Sequence, residues 1–251
     1  MKGLIGFFDI LGYQNFLENN SAMDTAQQVL NIITSIPKEL TSYSELLGPQ
    51  DKGFVLKHLV FSDTIVFTLD RPDGNSDDEW TYQAIEYVAI CSSLLAGEMF
   101  SNGLPMRGVI HEGEFVTLDM CLAGKGIVEA YKLCESLNFS GLVFTPGLGD
   151  QFIKKINNGE AINDSLFSYL TPLRDGKEMR LINVNWIYSL SESERSQCKD
   201  DAENFVLKSF WAHQKDCAIA VDEKVRNTAK LIRKMTHLFD SNMHAHLIKK
   251  I

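Results

Sequence analysis

Two aspartates stand where a carboxylate is costly. Asp9 lies inside the apolar and aromatic run LIGFFDILGYQNF (4–16), and Asp63 lies between the two strand-like halves of VLKHLVFSDTIVFTL (55–69). A charge among such neighbours needs a partner cation or a metal. Two carboxylates brought together repel each other, and a hard divalent cation resolves the conflict. Magnesium in particular takes oxygen ligands and keeps several waters for substrate phosphates. The chemistry on offer is therefore metal-assisted work on a phosphate-bearing ligand. Arg107, in the mostly apolar segment PMRGVI (105–110), is either a fork for phosphate or an ion-pair partner of Glu112 or Glu114.

For the two acids to meet, strands must carry them. Residues two apart on a strand share a face, so Ile5, Phe7 and Asp9 point one way, and Lys57, Leu59, Phe61 and Asp63 point together. Patterning predicts strands over 4–10, 54–61, 64–69, 105–110, 114–118, 142–145 and 179–187. It predicts helices over 21–34, with Ser21 as N-cap and Pro37 ending or kinking the helix, and over 80–99 and 125–137. Ser62-Asp63 is not a favoured hairpin turn of the Asn-Gly type, which leaves the turn's position open. The order β-α-β-β-α-β predicts an α+β fold, a ferredoxin-like palm in which an antiparallel sheet carries helices on one face. The palm is expected over 1–188. Residues 189–251 are expected to add a helical extension packed on it, with helices near 190–216 and 219–240.

The totals narrow the class. The chain has 251 residues, 45% hydrophobic and 23% charged, which suits one large globular domain. A net charge of −9 argues against a nucleic-acid platform and leaves small ligands open. Continuous apolar runs fall short of the roughly 18 residues that span a bilayer. The N-terminal run carries Asp9 and lacks a cleavage site, so it reads as a strand and not an export signal. The five cysteines (Cys91, Cys121, Cys134, Cys198, Cys217) are scattered, as expected for a reducing cytoplasm.

Four segments in order resemble the class III nucleotidyl cyclases, the catalytic domain of adenylate and guanylate cyclases. FFDILGYQNF is similar to that family's first-strand motif, and FSDTIVF to its hairpin motif, where the second metal aspartate follows a glycine. GLPMRGVIHEGEF (103–115) resembles the Leu-Pro-x-Arg-x-Gly-Ile-x-x-Gly-Glu segment, and GKGIVEAYKLCE (124–135) stands where the family has its substrate-binding helix. The resemblance covers about 3–146. It implies that Asp9 and Asp63 hold two divalent ions, Mg or Mn, and that the backbone of Ile10, Leu11, Gly12 and Tyr13 cradles a nucleoside triphosphate. It also implies a homodimer with composite sites, in which Lys132 and Arg107 act across the interface as catalytic cations. The reaction implied is attack of the 3′-hydroxyl on the α-phosphate, with pyrophosphate leaving.

The base-reading half departs from the family. Leu59 stands where adenylate cyclases have an adenine-selecting lysine. Val128 replaces the helix asparagine that holds the ribose, and Lys132 replaces an arginine. Asp119 is near the base-reading aspartate but two residues out of step. With FFDILGY, FSDTIVF, RGVIHEGEF and GKGIVEAY, this combination resembles the compact bacterial pyrimidine cyclases of Pycsar anti-phage systems. That subgroup implies cyclic UMP or cyclic CMP made from UTP or CTP for a separate cyclic-nucleotide-responsive effector. Phe54, Leu59 and Phe61 are the expected bulky lining of a pyrimidine pocket. The alternatives are a catalytically degenerate module that senses nucleotide, an adenylate or guanylate cyclase, and another palm enzyme. The last lacks support, because the Gly-Gly-Asp-Glu-Phe signature of diguanylate cyclases is absent.

Overall fold

The structure is a computed structural model that describes residues 2–20, 23–47, 54–72, 77–118, 121–157, 165–215 and 219–248. Ser21, Asp119 and Cys217 lie outside the described residues. In chain order the elements are β1 (Lys2–Ile10), α1 (Tyr13–Asn19), α2 (Met23–Leu47), β2 (Leu56–Phe61), β3 (Thr64–Asp70) and α3 (Asp77–Ser101). There follow β4 (Met106–Glu114), β5 (Val116–Leu118), β6 (Cys121–Ala123), α4 (Lys125–Ser136), β7 (Gly141–Phe144) and α5 (Pro146–Asn157). The chain continues through β8 (Leu166–Pro172), β9 (Glu178–Val184), α6 (Glu192–Trp211) and α7 (Ile219–Ile248).

The main sheet runs β2-β3-β1-β4-β7-β9-β8. Its first four strands are antiparallel neighbours and have the palm order expected from the sequence. β7 joins β4 in parallel, and α4 supplies the crossover between them. β1 is therefore an inner strand with both faces covered, which explains its nearly unbroken apolar run.

The two faces of β1 pack differently. Phe8 lies across from Gly108 on β4 and meets Phe67 edge-on at 5.3 Å. A side chain at Gly108 would strike the Phe8 ring, so the glycine makes room for it. On the other face Phe7 meets Tyr131 of α4 at 5.7 Å, and Gly126 lets α4 close on Ile5. α4 thus crosses the face that carries Ile5, Phe7 and Asp9.

Several boundaries differ from the sequence reading. Pro37 sits inside the 25-residue α2 and does not end it. β4 continues through His111-Glu112-Gly113, because β1 pairs with it as far as Lys2↔Glu114. Pro146-Gly147 opens α5 where a strand end was expected; proline suits the first helical position because its missing N–H has no partner there anyway. β8 was not anticipated, and the strand expected over 179–187 stops at Val184 before a short 3-10 turn, Trp186–Ser189. Phe54 packs against Trp80 and Tyr87 in the core, away from Leu59, and Phe61 is 75% exposed, so the two do not line a pocket with it.

The C-terminal helices share the palm's core. Phe205 of α6 stacks on Phe100 of α3 at 5.3 Å, and Ser209 Oγ donates to the Phe100 carbonyl at 2.8 Å. α7 is pinned to the start of β7, where the Ser140 N–H donates to Thr228 Oγ1 at 2.8 Å and Asn227 Nδ2 donates to the Asn138 carbonyl at 3.0 Å. Ser191 and Glu194 form a full capping box at the start of α6. Within α3, Trp80–Ser101 is long and apolar enough to cross a membrane, but 72% of its most apolar window is buried inside the protein, as in a core helix.

Candidate active site

The end of β1 gathers the site. Asp9 lies opposite Thr64 on β3 and opposite Arg107 on β4. The β2–β3 turn falls on Ser62-Asp63 after all. Ser62 takes a left-handed φ of 56°, the first central position of a turn that glycine would adopt without strain. Two backbone bonds fasten the region: the Ile10 N–H donates to the Asp63 carbonyl at 3.0 Å, and the Leu11 N–H donates to the Pro105 carbonyl at 2.8 Å. Gly12, at φ 79°, then turns the chain into α1.

These residues line a cavity of about 360 Å³. Asp9, Asp63, Arg107 and the run from Ile10 to Asn15 form one side of it, and Glu135, Phe210, Lys215 and Lys224 complete it. Of the residues singled out from sequence, Asp9, Asp63, Ile10, Leu11, Gly12, Tyr13 and Arg107 therefore come together.

Arg107 is 4% exposed and fully engaged. Its Nε donates to Asp9 Oδ2 at 2.8 Å, its Nη1 donates to the carbonyls of Glu135 (3.0 Å) and Leu137 (3.3 Å), and its Nη2 pairs with the Glu135 carboxylate. Two sequence expectations are corrected here. Arg107 pairs with neither Glu112 nor Glu114, and it lies beside Asp9 of its own chain, where an action across an interface was expected, because β4 pairs with β1 directly at Asp9. Glu112 faces Lys2 and Arg71 instead.

Burial pushes the Asp9 carboxyl above the usual carboxylate range. Arg107 pulls it down by charge and hydrogen bond, and the negative charges of Asp63 and Glu135 push it up again. Tyr13 is raised by burial and by Asp63. The charge of Asp63 reaches both Asp9 and Tyr13, and all three line the same cavity. The donor set suits a hard, oxygen-seeking divalent ion, which would relieve both the desolvation and the repulsion. Among the described residues no group of three or more His, Cys, Asp or Glu forms a ready-made cage, so waters and ligand oxygens would complete the coordination.

Leu59, Val128 and Lys132 are not at this cavity. Leu59 lines a separate one of about 250 Å³ with Lys57, His58, Val66, Thr68, Thr117, Cys121 and Leu122. Val128 and Lys132 project from the exposed side of α4, with Val128 49% exposed beside Tyr131 at 49%. His58 and His111 are held by structural partners, Thr41 and Thr145 respectively.

Sequence reasoning missed Glu135, Lys215 and Lys224. Lys215 is 5% exposed; its Nζ donates to the Gly103 carbonyl at 2.6 Å and the Ser209 carbonyl at 3.2 Å, and its stem packs beside Gly12. Lys224 is half-buried, and its ammonium is destabilised by burial and by the charges of Arg107 and Arg174, against a smaller pull from Asp9 and Glu135. A lysine near a helix start carries no signal in sequence, since most such lysines face solvent.

A comparison with protein-family models finds none that matches the chain, and a comparison with curated proteins finds none either. Among solved structures the chain is similar to the adenylyl cyclase CyaB from P. aeruginosa (12% identity, 73% of this chain and 93% of that one, TM-score 0.42). It is also similar to the guanylyl cyclase Cya2 (10% identity, 76% and 94%, TM-score 0.42). A third is the catalytic core of a rhodopsin-guanylyl cyclase with converted specificity in complex with ATPalphaS (10% identity, 73% and 94%, TM-score 0.45). All three scores are below 0.5, and the functional reading below rests on this chain's own residues.

Proposed function

We propose that the protein is a nucleotidyl cyclase that converts a nucleoside triphosphate, UTP or CTP, into a 3′,5′-cyclic nucleotide and pyrophosphate. The observation that carries this is the meeting of Asp9 and Asp63 at one cavity beside the Gly12 turn, with Arg107 fixed against Asp9. Asp9 and Asp63 would hold the divalent ions, Mg or Mn. When bound, such ions lower the pKa of a hydroxyl and offset charge on leaving phosphates. Arg107 aims Asp9 by donating to a single oxygen and opposes, without cancelling, the upward push of burial on its carboxyl. The run from Ile10 to Tyr13 offers backbone to the triphosphate. In the reaction the 3′-oxygen bonds to the α-phosphorus, and the bond from that phosphorus to the bridging oxygen of the β-phosphate breaks. The electron pair leaves with pyrophosphate, and the hydroxyl proton passes to solvent.

A homodimer with composite sites is supported by the different cavities in which the metal acids and Leu59 lie. The residues assigned to metal line the Asp9 cavity, whereas Leu59, Val128 and Lys132 do not. A second copy docked on the α4 face would join them, and the exposed apolar side chains Val128 and Tyr131 lie on that helix. Pyrimidine selection is supported by Leu59 at the position of the adenine readers' lysine; the cavity there is lined by Thr68 and Thr117 as well as by Lys57 and His58. A role in Pycsar-type signalling to a separate effector rests on the sequence resemblance. Leu59 and Val128 also favour a second reading, a nucleotide sensor without turnover; the retained pair of acids weighs against it.

The test is incubation of purified protein with ATP, GTP, CTP and UTP in Mg²⁺ and in Mn²⁺, with products identified by mass. Cyclic UMP or cyclic CMP is expected, and Asp9→Ala is expected to abolish it. Cyclic AMP or cyclic GMP would overturn the base assignment alone. Nucleotide binding without product would favour the sensor.

A further inference from the structure

The cations around the cavity are not equivalent. Arg107 is divided between Asp9 and Glu135, Arg174 pairs with Glu135 at 3.6 Å, and Lys215 spends its ammonium on two backbone carbonyls. Lys224 lines the same cavity from the second turn of α7, and among the described residues its ammonium forms no ion pair. The charges of Arg107 and Arg174 act on it, so an anion that reaches its ammonium meets further positive charge close by.

The placement is firm. Asn227 and Thr228, three and four residues on, tie α7 to Asn138 and Ser140 at the start of β7. Thr228 Oγ1 also donates back to the Lys224 carbonyl at 2.7 Å. A half-buried lysine held over two carboxylates, yet paired with neither, is arranged to meet a ligand. That ligand must satisfy both a divalent cation and an ammonium, and a polyphosphate does so.

We infer that Lys224 is a phosphate-binding residue of this site, delivered by the C-terminal helix of the same chain to the polyphosphate of the nucleotide. The inference rests on the cyclase reading for the identity of the nucleotide and on the cavity for the phosphate contact. The C-terminal helices thereby complete the site as well as buttress the palm.

The experiment measures binding of inorganic tripolyphosphate with Mg²⁺ to the full-length protein by calorimetry, for wild type, Lys224→Gln, Lys224→Arg and the exposed control Lys230→Gln. Loss of a charge-assisted contact predicts binding weakened roughly tenfold or more in Lys224→Gln. Lys224→Arg keeps most of the affinity, and Lys230→Gln matches wild type. The KM for the triphosphate rises in parallel in Lys224→Gln. Equal binding by wild type and Lys224→Gln, or no binding by wild type, overturns the inference. Tripolyphosphate binding that depends on Lys224, without cyclic product, keeps the inference and overturns the cyclase reading. Turnover with an unchanged KM in Lys224→Gln does the reverse.

Discussion

At the scale of single residues, Asp9 is the group whose surroundings pull hardest in opposite directions. Burial and two neighbouring acids raise its pKa, and Arg107 lowers it, with burial the largest influence. A carboxyl raised on folding lends stability that is full below its unfolded pKa and lost as pH rises through its folded pKa. In EDTA, wild type is therefore expected to lose stability relative to Asp9→Asn as pH climbs through the raised value. Denaturant titrations of the two proteins from acidic to neutral pH measure the difference. A flat difference, or one that grows in favour of wild type, would show that Arg107 outweighs burial. Asp9 and Asp63 were legible in the sequence because a carboxylate inside an apolar run is costly wherever it ends up. Arg107 stood out in the sequence as a phosphate fork or an ion-pair partner but not as Asp9's partner, since the register of β1 on β4 is a tertiary fact. Lys224 and Glu135 carry charges of the kind that usually decorate helix surfaces, and only the packing of α7 and α4 brings them to the cavity.

At the scale of elements, the β2–β3 hairpin presents Asp63 through a turn that its sequence does not favour. Ser62 holds a left-handed φ of 56° where a glycine carries no Cβ penalty. Ser62→Gly is expected to stabilise the fold by about 1 kcal/mol, which for a domain of this size raises Tm by about 2–4 °C in differential scanning calorimetry. An unchanged or lower Tm would mean that the serine side chain contributes something the turn geometry does not show. The same residues explain what patterning could and could not reveal. β1, β3 and α3 were found because their apolar periods are long. The hairpin was found although its turn type was wrong for a simple rule, because the flanking strands outweigh two turn residues. α5 and β8 were missed because Pro146-Gly147 reads equally as a stop and a start, and because β8 alternates exposed and half-buried positions with little apolar contrast.

At the scale of the whole molecule, the separation of the Asp9 cavity from Leu59, Val128 and Lys132 bears directly on assembly. If each site draws acids from one chain and Lys132 from the other, two dead variants can repair each other. Asp9→Ala and Lys132→Ala are each expected to be nearly inactive alone. Mixed in equal amounts and allowed to exchange, they should regain about one quarter of wild-type activity, since half the dimers are mixed and each has one intact site. No recovery would place all catalytic groups within one chain. The palm order was legible because local elements fix it, whereas the seven-stranded extent of the sheet depends on β7, β8 and β9 finding one another across long separations. The position of Lys224 on α7 has a consequence of another kind. A ribosome delivers the chain from its N-terminus, so Asp9 and Asp63 emerge well before α7 exists. A nascent or prematurely terminated polypeptide would carry the acids without the cation that faces them. Synthesis order itself would then withhold the Lys224 contact until α7 has emerged.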